Sequence, residues 1–356
     1  MDSITQMALG AAVGEAVLGR RLGYRAALYG AAIGTLPDLD VLFPLGDPVA
    51  DFTYHRSASH SLLVLTLAAP GIAWLIHRIP RRDNPPWRSW WLMVFLALVT
   101  HPLLDAFTVY GTQLLWPLPV TPTSWSSLFI IDPVYTLPLL VGVLGTSWMA
   151  RSAAAADAHN KVSGNAQQIA TRGWRLNAAG LVLSTAYIAW SLVAKQMVEG
   201  EVRHALAEQG LPADRIMSTP APFNTLLWRV VVMDERVYRE GFVSLADRSN
   251  VVRFEAYPTD PDLLIGLADD WRVRRLAWFT QGFYGVQQRA ADVLINDLRM
   301  GTEPSYVFSF RVGTRLDSRT LAAPTEQRAA RFDMQRLGDL FKRIIDPDVD
   351  VRPRPR

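Results

Sequence analysis

Apolar runs of about twenty residues recur through the first 198 positions, and they decide what this chain can fold into. A helix rises 1.5 Å per residue, so crossing ~30 Å of hydrocarbon takes ~20 residues. Ser61–Ile79, Trp90–Phe107 and Leu176–Val198 meet that length without strain. Leu128–Ala150 is long enough but carries Asp132, Pro133 and Pro138 near its start. Ile4–Gly19 and Ala26–Leu36 are shorter and rich in small residues, with Gly10 and Gly14 on one and Gly30 and Gly34 on the other. That spacing lets two helix backbones approach closely in lipid. The expectation is a polytopic α-helical membrane bundle of about six spans over residues 1–198. Met1-Asp2-Ser3 offers no basic n-region, so the first run is expected to be retained and not cleaved as a signal.

Charge supports the division. Charged residues make up 19% of the chain, against roughly 25% in soluble domains. They are sparse from Ile4 to Lys195 and evenly spread from Val198 onward. The net charge of +3 comes without a basic stripe, which argues against nucleic acid as a partner. The absence of cysteine excludes disulfides, thiolate ligands and a cysteine nucleophile.

Loop charges set an expected orientation. Arg20, Arg21 and Arg25 follow the first run; Arg78, Arg81, Arg82 and Arg88 follow the third; Arg151, Lys161, Arg172 and Arg175 follow the fifth. The alternate loops hold Arg56 alone. Basic loops stay in the cytoplasm, so six crossings put both the N-terminus and the C-terminal domain outside, which is periplasmic in a bacterial inner membrane.

Residues 199–345 read as a small soluble β-rich or α+β domain. Val198–Gln209 looks like a charged amphipathic helix leaving the last span. Strand-like runs follow at Leu226–Met233, Gly241–Leu245, Val251–Ala256, Arg275–Phe279, Val293–Arg299 and Tyr306–Val312, separated by Gly, Asp, Asn and Pro. Pro222–Arg229 reads as a strand entry. Residues 346–356 alternate proline with charge and are expected to be disordered.

The chemistry lies in the membrane half. His55 and His60 sit at the outer entry to the third run, and His101 and Asp105 near the outer end of the fourth. Asp38 and Asp40 close the second run on the same side. The orientation was derived from Lys and Arg alone, so this convergence is a separate check on it. His101 and Asp105 are four apart and share one helical face, where an imidazole and a carboxylate can hold one divalent ion. One of Asp38 and Asp40 can point at the metal while the other orients a histidine. His55 and His60 converge only if His55 precedes the helix, with Ser57 or Ser59 as its N-cap. Ionisable groups in spans cost ~2.5–3.5 kcal/mol each on insertion scales, so six together argue for a function. With His and Asp ligands and no thiolate, the expected ion is Zn²⁺, with Mn²⁺ the alternative, and the expected chemistry is hydrolysis. Arg56 is a candidate for a substrate phosphate.

Met1-Asp2-Ser3-Ile4-Thr5, Leu36-Pro37-Asp38-Leu39-Asp40, His55-Arg56 with Ser59-His60-Ser61, and His101-Pro102-Leu103-Leu104-Asp105 resemble, in that order, the YdjM-like family of inner-membrane metal-dependent hydrolases. The resemblance covers about the first half of the chain. It implies Asp38, Asp40, His55, His60, His101 and Asp105 as metal ligands. More distantly it implies a likeness to zinc-dependent phospholipase C and nuclease P1-type enzymes, hence a membrane lipid or envelope-derived phosphoester as substrate. Gln6 departs from the family pattern, which has His after the N-terminal Thr. The competing expectation is a non-catalytic metal-binding membrane protein, a transporter or sensor. A transporter would carry polar groups toward both faces, and here they crowd one side.

Overall fold

The computed structural model describes residues 1–79, 84–160, 165–247, 252–317, 319–328 and 334–351. Arg81, Arg82, Lys161, Val251 at the start of one expected strand, and residues 352–356 of the tail lie outside the described residues.

The first half is helical: α1 (Ser3–Leu22), α2 (Tyr24–Gly34), α3 (Pro48–Tyr54), α4 (Leu62–His77), α5 (Trp87–Ala106), α6 (Pro133–Asn160) and α7 (Asn165–Glu208), with 3₁₀ turns at Leu36–Leu42 and Ala58–His60. Asp2 starts α1, its Oδ1 accepting from the Ile4 and Thr5 amides. Gly23 then turns the chain with φ 58°, and α2 returns along α1. The two backbones touch: a Cβ on Gly10 would strike the Gly30 carbonyl oxygen, and one on Gly14 the Ala26 carbonyl oxygen.

Six spans are not supported. Among the described residues three helices are long and apolar enough to cross: Trp87–Ala106, Pro133–Ser152 and Thr171–Glu208. A fourth is reached if Pro48–His60 and Leu62–His77, bent by 53° at their junction, act as one span. The glycine-rich pair fails for a physical reason. With 11 residues, α2 reaches only about 16 Å; α1 spends its length on Ala and Gly and carries Glu15, Arg20 and Arg21. Small residues give close packing, which is a different property from hydrophobicity.

Other boundaries shift too. The run from Leu128 becomes helical only at Pro133, because Asp132 caps α6 by accepting from the Val134 and Tyr135 amides. The charged helix expected after Val198 is the unbroken continuation of α7 to Glu208.

The second half is β-rich with antiparallel sheets. One sheet has the order β1-β2-β3-β4, from β1 (Ile216–Pro220), β2 (Leu227–Met233), β3 (Val237–Ser244) and β4 (Phe254–Pro258). The other has the order β10-β9-β6-β5, from β5 (Tyr284–Arg289), β6 (Asp292–Asp297), β9 (Ser309–Leu316) and β10 (Arg319–Arg328), beside a ribbon of β7 (Gly301–Thr302) and β8 (Ser305–Tyr306). The strand expected at Arg275–Phe279 is instead the end of a helix, α8 (Trp271–Phe279). Asp270 caps it through the Arg272 amide, and Val273, Leu276 and Phe279 bury one helical face. A last helix, α9, spans Met334–Arg343.

This half meets the helical bundle at one end. Arg272 donates from Nε to Asp47 Oδ2 at 2.7 Å. Phe52 packs among Tyr110, Phe279, Phe308 and Phe310 with ring centroids 4.3–5.3 Å away. Residues 221–226 also dock on the bundle: Phe223 packs on Phe129 and Trp190 donates to Thr225. The stretch read as a strand entry enters β2 only at Leu227.

Candidate metal centre

Four local features bring ligand-capable side chains to that end. Pro37 opens the 3₁₀ turn that turns Asp38 and Asp40 away from α2. A second 3₁₀ turn carries His60, and Ser61, in place of Ser57 or Ser59, caps α4 by accepting from the Val64 amide. His101 and Asp105 lie one turn apart on α5, as their spacing predicts. Near the start of α1, Thr5 meets Thr136 of α6 and Gln6 reaches the His101 carbonyl oxygen on α5.

Asp38, His60, His101 and Asp105 each offer an atom within 4.8 Å of the others. His60 Nε2 lies 3.1 Å from His101 Nε2, 3.2 Å from Asp105 Oδ2 and 3.5 Å from Asp38 Oδ1. His101 Nε2 lies 3.3 Å from Asp38 Oδ1 and 3.7 Å from Asp105 Oδ2. A tetrahedron with metal–ligand bonds of 2.0–2.1 Å has edges of about 3.3 Å, and these five of the six separations, 3.1–3.7 Å, are close to that.

The hydrogen bonds leave both Nε2 atoms bare. His101 Nδ1 is 2.6 Å from the Gly34 carbonyl oxygen, which can only accept, so that nitrogen holds the proton. Ser59 gives its single hydroxyl proton to Asp40 Oδ2 at 2.6 Å and so accepts from His60 Nδ1 at 2.9 Å. In neutral imidazoles the lone pair is then on Nε2 in both rings. Were both Nε2 protonated, two N–H groups would point at each other across 3.1 Å. Asp105 Oδ2 is also buried, with an ion pair to Arg56 but no hydrogen bond, and an ion would take its remaining lone pair. The residues therefore fit a divalent cation, held by Asp38, His60, His101 and Asp105.

Asp40 and His55 stand beside this group as a pair, outside the set of four. His55 Nδ1 is 2.8 Å from Asp40 Oδ1. Asp40 Oδ2 also accepts from the Arg56 amide at 3.1 Å. Burial opposes ionisation of Asp40, but the bonds from His55 and Ser59 outweigh it and hold its carboxyl down at about 2. Asp40 thus ties the His60 loop to the Asp38 turn.

Arg56 is 3% exposed and engaged within the protein. Its Nε lies 3.1 Å from Asp105 Oδ2, Nη1 donates to Thr108, and the guanidinium stacks 4.8 Å over the Tyr110 ring. Its left-handed backbone, φ 62°, aims the side chain inward. Gln6 holds the other oxygen of Asp105, donating from Nε2 at 3.0 Å, and also reaches the His101 carbonyl oxygen. The α-amine of Met1 pairs with the same Oδ1. Sequence reasoning missed Thr108, Tyr110 and the part of Ser59, since nothing in their spacing signals contacts made across the fold.

A family model described as "YdjM inner membrane protein" matches residues 1–198. A protein of Bacillus subtilis (strain 168) described as "Uncharacterized protein YfhP" is 32% identical over 127 residues. That match covers 33% of this chain and spans only 37% of the length of that relative. No solved structure matches.

Proposed function

The chain belongs to the YdjM family of inner membrane proteins, and on that premise we propose that it is a membrane-bound, metal-dependent hydrolase working at the outer face of the bilayer on a lipid or envelope phosphoester. The observation that carries this reading is the pair of bare Nε2 atoms of His60 and His101, 3.1 Å apart, facing two carboxylates. Zinc suits two imidazoles and two carboxylates at that spacing; manganese is the alternative. When bound, such an ion supplies Lewis-acid polarisation of a substrate oxygen and acidification of water.

The surrounding residues give the site a deep side and an open side. The side chains of His60, His101 and Asp105 are fully buried, whereas that of Asp38 is 23% exposed and that of His55 is 25% exposed. Substrate approaches past Asp38. Asp40 holds His55 by Nδ1, leaving Nε2 to take or give a proton there. Arg56 pairs with Asp105 and offsets the charge of that buried carboxylate. In this reading a substrate phosphate meets the open side, and Arg56 acts through Asp105.

Two features support the outer face. Arg20 and Arg21 end α1, Arg78 ends α4, and Arg20 and Arg151 lie over Trp174 and Tyr24. These basic residues collect at the end of the bundle away from the cluster, and basic ends favour the cytoplasm. The β-rich half joins the cluster end, through Arg272 and Asp47, and would then be periplasmic. A reporter fused after Arg356 is expected to give a periplasmic signal.

One observation favours a second reading. Four protein donors already complete a tetrahedron, as in sites that bind an ion without catalysis, so a transporter or sensor would use the same cluster. The test is metal analysis of the purified protein with a hydrolysis screen against bis-p-nitrophenyl phosphate and phospholipid vesicles. Metal-dependent turnover, lost in His60→Ala, supports the hydrolase. Bound metal with no turnover of any phosphoester moves the assignment to the binding protein.

A further inference from the structure

A cavity of about 290 Å³ lies where the helical bundle meets the β-rich half. A water's share of liquid volume is about 30 Å³, so this is far more than a packing defect. Its walls are mostly apolar, with Phe129 and Ile130 from the bundle side, Ala221 and Val307 from segments next to strands of the β-rich half, and Leu337 and Leu340 from α9.

A buried arginine stands in the wall of the cavity. Arg229 lines it and is 4% exposed. Its Nη1 donates to the Leu298 carbonyl oxygen at 2.8 Å and its Nη2 pairs with Glu240. Its Nε is buried with no hydrogen-bond partner.

The position indicates where that ligand comes from. Phe129 and Ile130 immediately precede α6, whose Pro133–Ser152 stretch is a candidate span, so the cavity stands at the level where the chain enters the bilayer. The helix α9 turns Leu337 and Leu340 to the cavity, while Phe341 and, just past the helix end, Ile345 are 45% and 80% exposed near the exposed Lys342; Arg343 is turned inward to Asp247. Exposed apolar side chains with a basic one beside them suit a lipid surface.

We propose that this cavity binds the acyl chain of a membrane lipid. The binding is independent of the metal cluster.

The probe is cis-parinaric acid, added to the full-length protein in detergent and read by its fluorescence. Saturable binding is expected. Displacement by oleate but not by monooleoylglycerol identifies a free fatty acid; displacement by both identifies an esterified chain as acceptable, and either outcome keeps the site. Ala221→Phe fills the cavity and Val307→Trp narrows it from a residue that is 39% exposed, where folding is little disturbed. Each is expected to weaken binding about tenfold or more by overpacking, with the melting temperature of Val307→Trp unchanged. His60→Ala is expected to bind as the wild type does, which separates this site from the metal reading. No saturable binding, wild-type binding by Val307→Trp, or loss of binding in His60→Ala would overturn the proposal.

Discussion

His60 and His101 stand 41 positions apart in the chain and face each other Nε2 to Nε2 at 3.1 Å. Each ring is turned to that orientation by its other nitrogen, one on the Ser59 hydroxyl and one on the Gly34 carbonyl. Imidazoles held this way present lone pairs without rearrangement, which is how metal-binding histidines are usually prepared.

Replacing either ring should therefore empty the site. Purified wild-type protein is expected to carry about one divalent ion per chain, the number a single four-donor set holds, and His60→Ala and His101→Ala close to none. His55→Ala should keep its ion, because His55 binds Asp40 and lies outside the group of four. Elemental analysis by mass spectrometry checks all three; a full ion in both His60→Ala and His101→Ala would remove the site.

The residues that hold the ligands should matter by a smaller margin. Gln6→Ala frees Asp105 Oδ1 and Ser59→Ala frees His60 Nδ1. Losses of roughly 10–100-fold in metal affinity are expected for such supports, measured by competition with a chelator. Affinities equal to the wild type would mean that the ligands are positioned by packing alone.

Asp40 makes a pH-dependent contribution of defined sign. Its folded value of about 2 lies below its ordinary 3.8, so its stabilisation is complete above about pH 4 and lost as pH falls toward 2. The melting-temperature difference between the wild type and Asp40→Asn should shrink as pH falls from 4 toward 2. A difference that does not shrink over that range would contradict this.

The α1–α2 contact leaves no room for a side chain. In Gly10→Val the new atoms meet the Gly30 carbonyl oxygen, which is backbone and cannot swing away. A loss of about 1–3 kcal/mol is expected from overpacking, and because α1 carries Gln6 and α2 ends at Gly34, metal affinity should fall with it. Wild-type melting in detergent would show that the helices separate freely.

Two of the contacts that tie α3 to the β-rich half should differ in strength. Phe52 is 4% exposed among four rings, so Phe52→Ala is expected to cost about 3–5 kcal/mol. The Arg272–Asp47 pair is partly exposed, so Arg272→Ala should cost no more than about 1 kcal/mol. Thermal unfolding of the two variants ranks them; a larger loss for Arg272→Ala would make the ion pair the main clamp.

Some of this architecture is legible in the residues alone. Long apolar runs commit α5, α6 and α7 to lipid because an unbroken run of that length has few other places to be buried. The i, i+4 spacing of His101 and Asp105 sets them on one face because helical geometry is local. The same reasoning overreached on α1 and α2, where small residues that serve backbone contact were counted toward hydrophobic length. It also took Arg275–Phe279 for a strand, since a short apolar run has no clear period without its Asp270 cap.

The chain by itself determined the ligand-capable residue types, their local spacing and the helices that carry several of them. Only the tertiary structure decided which of them share one point. Gly34 meets His101 because α2 lies against α1 through glycines, and Asp40 is drawn aside because the Arg56 amide, Ser59 and His55 all donate to it. Such distances depend on how whole elements pack, and sequence separation carries no information about them. That is why six candidates in the sequence became four donors around one point, with Asp40 and His55 paired at its edge.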